Sequence, residues 1–294
     1  MSAPVALLPG PGPSRRFEGW RRFLRSSGAA LGLGIVAVIV LMALLAPVIT
    51  PYPQHAGAFV DFANASKPPS AQHWLGTDVV GRDLLTRIIF GYRTSLLLVV
   101  VVLSIGIPVG VLLGLVAGYY GGWIEAVIMR VTDIFLALPP LALVLAVTSV
   151  LTPTLVNAMI AIGALWWTWH TRLVHGLVVG LKNEDFIEAA RRAGASDAHL
   201  LFRELLPNVI STVAVKTTLD AAFVILLGSG LSFLGLGATP PTPDLGTMVS
   251  EGSKYLPSQW WESIFPGLAI VLISLGFNLL GDGLREYFDV DVQR

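Results

Sequence analysis

The sequence predicts an all-α integral membrane protein with six transmembrane helices. Hydrophobic residues make up 54% of the chain and charged residues only 13%, whereas soluble domains carry about a quarter charged residues. The apolar residues are gathered into six stretches, each long enough to cross a bilayer at 1.5 Å per residue. Because backbone groups in hydrocarbon must be hydrogen-bonded within their own segment, these stretches are predicted to be helices. They run over residues 28–49, 94–118, 123–151, 155–179, 209–236 and 263–281.

The composition excludes several classes of function. The formal net charge is +0 and cysteine is absent, so there is no basic surface typical of nucleic-acid binding and there are no thiolate ligands or disulfides. The chain has no phosphate-binding G-x-x-x-x-G-K-[ST] loop and no H-E-x-x-H or Ser–His–Asp pattern. His170 and His175 are five residues apart, a poor spacing for a metal site on one helical face. We therefore expect no catalytic, cofactor-binding or metal-binding residue.

The distribution of basic residues predicts the orientation. Residues 1–27 form a tail with five arginines, which places the N-terminus in the cytoplasm. Residues 28–49 are longer than the apolar core of a signal peptide and are predicted to remain as the first transmembrane helix. Residues 50–93 are then external. Six crossings return the C-terminal tail, 284–294, to the cytoplasm.

The external segment contains an amphipathic pattern just before the second apolar stretch. Leu84, Leu85, Ile88 and Ile89 share one face of a helix. Asp83 and Arg87 are four residues apart and can pair. The pattern predicts a helix lying at the external membrane interface, either as a simple anchor or as a contact surface for an external protein or for the mouth of a pathway.

Residues 94–283 are predicted to form a five-helix core. Gly106, Gly110, Gly114 and Gly118 line one face of its first helix. Small residues allow helices to approach closely in lipid, so this face either packs within the subunit or forms a sliding or dimer-facing surface. Thr152, Pro153 and Thr154 suit a tight turn between the third and fourth transmembrane helices, which predicts an antiparallel hairpin.

Three of the charged residues within the apolar stretches are candidates for lining a pathway. Lys216 and Asp220 are four residues apart and are predicted to pair. Arg130 and Asp133 are three apart and can pair in the same way. Charges inside a membrane either neutralise each other or line a pathway, and both interpretations remain open for Lys216, Asp220 and Asp133.

The predicted cytoplasmic loop, 180–208, has the capping signals of two short helices. Asn183 is a candidate N-cap for the first helix, and Gly194 can take the left-handed conformation that ends it. Ser196 can cap the second helix, and Pro207 is expected to help end that helix. The result is a rigid helix–turn–helix, suited to transmitting force from a soluble partner.

The same loop resembles the EAA motif of ABC-importer permeases. Glu188, Ala189 and Ala190 are followed after three residues by Gly194, and then by Leu206-Pro207. The resemblance implies the MetI-like permease bundle, in which this loop forms cytoplasmic coupling helices that dock on an ATPase subunit. The implied coupling residues are Asp185, Phe186, Glu188, Ala189, Ala190, Gly194, Ala195, Leu206 and Pro207.

Three further stretches resemble the dipeptide, oligopeptide and nickel branch of that family, of the DppC/OppC type. The first is the external signature, Leu75-Gly-Thr-Asp78 followed by Gly81-Arg-Asp83, and the others are 231–248 and 265–285. The signature residues are Asp78, Arg82, Asp83 and Arg87. Leu245 stands where the branch usually has Trp, and His175 where it often has Arg.

The resemblance implies a transport subunit of a bacterial cytoplasmic (inner) membrane rather than an enzyme. The implied partners are a second homologous permease chain in a heterodimer, two ATPase subunits that bind ATP and Mg, and an external or periplasmic substrate-binding protein. The implied function is a pathway for di- or oligopeptides worked by alternating access. The alternatives are an ABC permease for nickel, glutathione or another non-peptide solute and, more distantly, a stand-alone secondary transporter.

Overall fold

The structure, a computed structural model, describes residues 27–292, and their side chains as far as residue 288. The arginine-rich tail and the last two residues therefore lie outside the described residues. Helices dominate the described part, and one isolated β-bridge joins Thr77 to Asp83. The helices are α1 Ser27–Ile49, α2 Leu84–Tyr120, α3 Gly122–Leu136, α4 Pro140–Val150, α5 Leu155–Leu181, α6 Asp185–Arg192, α7 Asp197–Phe233, α8 Leu245–Ser253 and α9 Trp261–Val292.

Four of these helices, α1, α2, α7 and α9, are long and apolar enough to cross a membrane, and the α3–α4 pair makes a fifth if it counts as one broken span. The 27 residues of α5 are also long enough, but Trp, His and Arg side chains dilute its apolar character. The all-helical prediction is confirmed. The prediction of six spans is supported for four or five of them.

The third predicted stretch, 123–151, is not one helix. It breaks into α3 and α4, and the chain bends by 86° between these two helices, at the three residues that separate them. Pro139 and Pro140 explain the break, because proline donates no backbone hydrogen bond and excludes the helical conformation from the residue before it. The prediction of a single continuous helix here is wrong.

The second predicted helix begins ten residues earlier than expected, at Leu84. The carboxylate of Asp83 accepts a hydrogen bond from the Thr86 backbone N–H at 2.8 Å and caps the helix. Leu84 and Ile88 are buried in the protein core rather than at a lipid interface. The amphipathic pattern therefore forms the first turns of α2, and the structure does not contain a separate interfacial helix at this position.

The glycine face of α2 packs against α5 inside the chain. A Cβ atom on Gly110 would lie 2.4 Å from the Trp167 carbonyl oxygen and 2.6 Å from the Cβ of His170. Gly106, Gly114 and Gly118 meet successive turns of α5 in the same way. Of the two interpretations left open by the sequence, packing within the subunit is the one that the structure bears out.

Gly110→Ala is expected to lower the free energy of unfolding by about 1–3 kcal/mol, because the added methyl group overpacks the α2–α5 contact. Gly176→Ala, on α5, is the matched control, since a Cβ at Gly176 meets no atom within 4 Å. It is expected to leave stability unchanged or slightly raised. Thermal unfolding of the two variants in detergent measures the difference, and equal losses would contradict the close packing.

The remaining long helices complete the bundle. α1 packs along α9, and α9 also packs along α7. α8 lies across α7 and α9 at the end of the bundle that carries residues 50–83. The opposite end carries α6 and the beginning of α7. The candidate functional residues are thus divided between two ends of one bundle and its interior.

Candidate functional site

The residues with the EAA spacing lie in a compact hairpin made of α6 and the first turns of α7. At its turn Gly194 has φ +86°. The N–H of Gly194 donates to the Arg191 carbonyl at 3.0 Å, and the N–H of Ala195 donates to the Ala190 carbonyl at 3.1 Å. This pair of bonds ends a helix through a left-handed residue. The predicted conformation of Gly194 is confirmed.

The two predicted caps of the hairpin have different outcomes. Ser196 accepts a hydrogen bond from the His199 N–H at 3.3 Å, as predicted. Asn183 is not the cap of α6, because that position belongs to Glu184, whose side chain makes no capping bond. Instead, Asp185 and Glu188 in the first turn and Arg191 and Arg192 in the last complement the helix dipole.

The hairpin is fastened to the bundle. The side chain of Ile187 is fully buried in a cluster with Val174 and Val178 of α5 and Leu205 of α7. The Tyr119 hydroxyl at the end of α2 donates to the Asp197 carboxylate at 2.7 Å. The hairpin is therefore in contact with α2, α5 and α7 at once.

The opposite surface of the hairpin is open. Phe186, beside the buried Ile187, is 40% exposed. Glu188 pairs with Arg191 along the surface of α6. Of the predicted coupling residues, Asp185, Phe186, Ala189, Gly194 and Pro207 are exposed, and Glu188, Ala190, Ala195 and Leu206 are half-buried.

Pro207 does not end a helix. α7 runs without interruption from Asp197 to Phe233, and its segment Leu200–Leu205 is π-helical. The Leu206 N–H donates to the Leu201 carbonyl, five residues back. The wider π turn accommodates a proline that lacks an N–H, so the helix continues through it.

A buried polar cluster joins α5 to α7 in the middle of the bundle. Asp220 is 3% exposed. It pairs with Lys216, as predicted, and also accepts a hydrogen bond from the Trp166 indole N–H at 3.1 Å. The His170 Nε2 atom lies 3.6 Å from the same carboxylate. Asp220 is therefore enclosed within the subunit, while the Lys216 side chain is 33% exposed.

The partner of Asp133 differs from the prediction. Asp133 pairs with Arg172 of α5 and not with Arg130 of its own helix. The side chains of Asp133 and Arg172 are 48% and 52% exposed. The spacing of three residues within one helix predicted Arg130 as the partner, whereas the counter-ion comes from the neighbouring helix. His175, three residues further along α5, bonds Glu125 of α3 at 2.7 Å.

Among the residues that the structure describes, no three His, Asp or Glu side chains are grouped so that they could hold a metal ion. His170 and His175 make separate contacts, to Asp220 and Glu125.

The external signature is a buried network at the top of α2. Asp78 accepts a hydrogen bond from Arg82 Nε at 2.7 Å and lies 3.5 Å from Arg87 Nε. Arg87 also donates to the carbonyl of Pro241 at 3.3 Å. Asp78, Arg82, Asp83 and Arg87 are all under 10% exposed. The network connects the segment before α2 to α2 itself and to the loop before α8.

Two histidines that the sequence analysis did not identify complete this network. The Asp83 backbone N–H donates to His55 Nδ1 at 2.9 Å, and His73 Nδ1 donates to the Asp83 carboxylate at 2.9 Å. His55 is 28 residues from Asp83 in sequence, so no local pattern could have joined them. Asp83 is therefore held through its backbone N–H by His55 and through its carboxylate by His73.

Acidification is expected to loosen this network through His55. Burial lowers the pKa of the His55 imidazole below its usual 6.5. The unfolded segment therefore binds the proton more readily than the folded one, and the stability contributed by His55 is present above pH 6.5 and lost as pH falls below it. The protection factor of the Asp83 amide, its hydrogen-exchange rate relative to that of an unfolded amide at the same pH, measures the effect at pH 7.5 and 5.5. His55→Gln keeps an acceptor that does not titrate, so the same pH dependence in that variant would contradict the assignment.

Comparison with known proteins agrees with this architecture. The profile of the family described as "Binding-protein-dependent transport system inner membrane component" matches residues 110–294. A second profile, "N-terminal TM domain of oligopeptide transport permease C", matches residues 14–69. Together they cover α1 and the chain from the second part of α2 onwards, and residues 70–109 lie between the two matches.

Several relatives are similar over nearly their whole length. The dipeptide transport system permease protein DppC of Alkalihalophilus pseudofirmus is 39% identical over 92% of this chain and 88% of that relative. The probable D,D-dipeptide transport system permease protein DdpC of Escherichia coli is 39% identical over 95% and 94%. The glutathione transport system permease protein GsiD of Pectobacterium atrosepticum is 39% identical over 94% and 91%.

The apolar helices, the fastened hairpin and these relatives define a class, that of multi-pass membrane proteins acting as transport permease subunits. The chain belongs to the family of binding-protein-dependent transport system inner membrane components, and it is the permease subunit of an ABC importer.

Proposed function

We propose that the α6–α7 hairpin is the coupling element of this permease and that a separate ATPase subunit docks on it. The supporting observation is its two-sided construction. Ile187 is buried in the bundle, while Phe186 beside it is exposed on the opposite surface. An exposed aromatic side chain among small residues is typical of an interface anchor. Closure of the ATPases would then move the hairpin and, with it, α2, α5 and α7.

The proposed topology has six crossings, by α1, α2, the broken pair α3–α4, α5, α7 and α9. The hairpin lies at one end with Tyr119 and Lys182, and the external signature lies at the other end with α8. Six crossings put both termini on the side of the hairpin, which is the cytoplasm of the bacterial cytoplasmic (inner) membrane. Residues 50–83 and 234–260 then face outwards.

The proposed assembly contains a second homologous permease chain, two ATPase subunits that use ATP and Mg, and an external substrate-binding protein. The cargo proposed from the relatives is a dipeptide or oligopeptide, with glutathione as the second candidate, because relatives of both kinds are equally similar at 39% identity. Asp133, Lys216 and Asp220 are the proposed polar groups of the pathway. Asp220 is enclosed within the subunit, and it contributes by pairing with the partly exposed Lys216.

Reconstitution tests this function. The chain is purified from its own host with its associated subunits, placed in proteoliposomes with the binding protein, and supplied with labelled dialanine or glutathione. ATP-dependent uptake of one of them is expected. Uptake by the chain alone under an ion gradient would instead indicate a secondary transporter.

The orientation can be tested separately, because the chain has no cysteine of its own. Ala198→Cys lies on the exposed surface of the hairpin. A membrane-impermeant thiol reagent is expected to label it in inside-out vesicles and not in intact cells. Labelling from outside the cell would refute the coupling role.

A further inference from the structure

The Asp133–Arg172 ion pair has an unusual position. It joins α3 to α5, and about half of each side chain is exposed on the surface of the chain. Arg172 lies nine residues from the end of α5 at Leu181, and Asp133 eleven residues from the start of α3 at Gly122. Lys182 and Gly118 bond at that same end of the bundle.

These positions place the pair deep in the membrane in the proposed topology. At 1.5 Å per residue, Arg172 is about 14 Å and Asp133 about 16 Å from the hairpin end of the bundle. Half of a hydrocarbon core is about 15 Å. Charged side chains at that depth face other protein or a water-filled cavity and not lipid. The exposed face of the pair is therefore not a lipid-facing surface.

The helix break beside the pair leads to the same conclusion. Residues 137–139, between α3 and α4, follow Asp133 by one turn and are exposed. Non-helical backbone at membrane depth is tolerated only where it is buried in protein or lines a water-filled cavity. Two independent features, a half-exposed ion pair and an exposed break, thus lie on one face. Phe135 and Trp167, whose rings are 5.9 Å apart, also join α3 to α5 there.

We propose that this face lines the water-filled pathway and that Asp133 and Arg172 are the contacts for a cargo carrying both an ammonium and a carboxylate group. This inference rests on the proposed function and names the charges that the pathway recognises. In the empty protein the two side chains neutralise each other. When such a cargo arrives, Asp133 accepts hydrogen bonds from its ammonium group and Arg172 donates to its carboxylate, so that no charge is left unpaired.

The pair suits a zwitterion better than an ion of one sign. An anion would take Arg172 and leave Asp133 without its partner, and a cation would do the reverse. A charge left without its partner at membrane depth is costly even beside water, because it still needs a counter-ion. Two further charged groups of α3 lie closer to the hairpin. Glu125 is paired with His175 of α5, and Arg130, which is exposed, adds a positive charge on the side where the cargo leaves.

Cysteine labelling tests whether this face is exposed to water. In the assembled transporter in proteoliposomes, Leu138→Cys in the break is compared with Leu44→Cys on α1, whose side chain is also exposed, at 70%. A hydrophilic methanethiosulfonate reagent reacts with the thiolate, which forms only in contact with water. Labelling at Leu138→Cys is expected to be at least about tenfold faster than at Leu44→Cys. Equal rates would overturn the proposal.

Charge removal tests the recognition of cargo. Asp133→Asn and Arg172→Gln each leave a lone charge and can fail to insert, so the deciding variant is the double replacement, which leaves none. The labelled cargo is dialanine or glutathione, whichever the unmodified transporter takes up. Its uptake by the double variant is expected to fall about tenfold or more, because two charge-assisted contacts are lost, while ATP hydrolysis continues. Unchanged uptake would show that the pair only fastens α3 to α5 and would overturn the proposal.

Failure of the proposed transport function and failure of the role of the ion pair give different results. If the unmodified chain neither assembles with an ATPase nor takes up dialanine or glutathione with ATP, the proposed function is wrong. If it does both, and the double variant transports normally or Leu138→Cys is unreactive, only the role of this ion pair is wrong.

Discussion

Asp220→Ala is expected to abolish uptake and to lower the free energy of unfolding by about 3–5 kcal/mol, the loss typical of breaking a buried ion pair. The carboxylate is 3% exposed and accepts from both Lys216 and the Trp166 indole. Its removal leaves an ammonium group without a counter-ion and an indole N–H without an acceptor. Uptake in proteoliposomes and thermal unfolding in detergent measure the two effects.

Lys216→Ala is expected to impair transport as well, because it leaves the buried carboxylate without its cation. The double replacement of Lys216 and Asp220 by alanine removes both charges together, so it is expected to impair transport less than either single change. Asp220→Asn is the matched control, since its side-chain oxygen can still accept from Trp166 while the charge is gone. Losses that simply add in the double variant would rule out the pairing.

Features that depend on neighbouring residues in sequence were predictable. The start and end of α1, the left-handed Gly194 and the cap at Ser196 follow from local apolar length and capping chemistry. The Lys216–Asp220 pair follows from the four-residue spacing of one helical turn. In each case the groups that interact are separated by a few residues, so one helix or one turn contains the whole interaction.

Features that depend on a second helix were not predictable from one sequence. Asp133 had a candidate partner at Arg130, but Arg172 lies 39 residues away and reaches it only because the glycine face of α2 brings α5 into the bundle. Similarly, the apolar residues of the amphipathic pattern before Thr94 would have the same spacing in sequence whether they faced lipid or protein. Only the packing of other helices around the start of α2 decides that Leu84 and Ile88 are covered.

The turn of the hairpin gives the second large effect. Gly194→Val is expected to uncouple uptake from ATP hydrolysis, because a side chain at φ +86° costs about 1–2 kcal/mol, and a β-branched residue is especially unfavourable there. The two bonds that end α6, from Gly194 and Ala195, would be lost or distorted. Uptake and ATP hydrolysis, measured on the same proteoliposomes, give the number of ATP molecules used per cargo.

Gly194→Asn separates the conformation of the turn from the size of the new side chain. Asn tolerates the left-handed region far better than Val does, and the two side chains have similar bulk. A Cβ at this position meets no atom within 4 Å in the chain itself, so neither replacement clashes within the subunit. Coupling retained in Gly194→Asn and lost in Gly194→Val would mean that the docked partner needs a rigid turn. Equal losses would mean that the partner contacts the Gly194 backbone so closely that any side chain blocks it, and equal retention would contradict a coupling role for the turn.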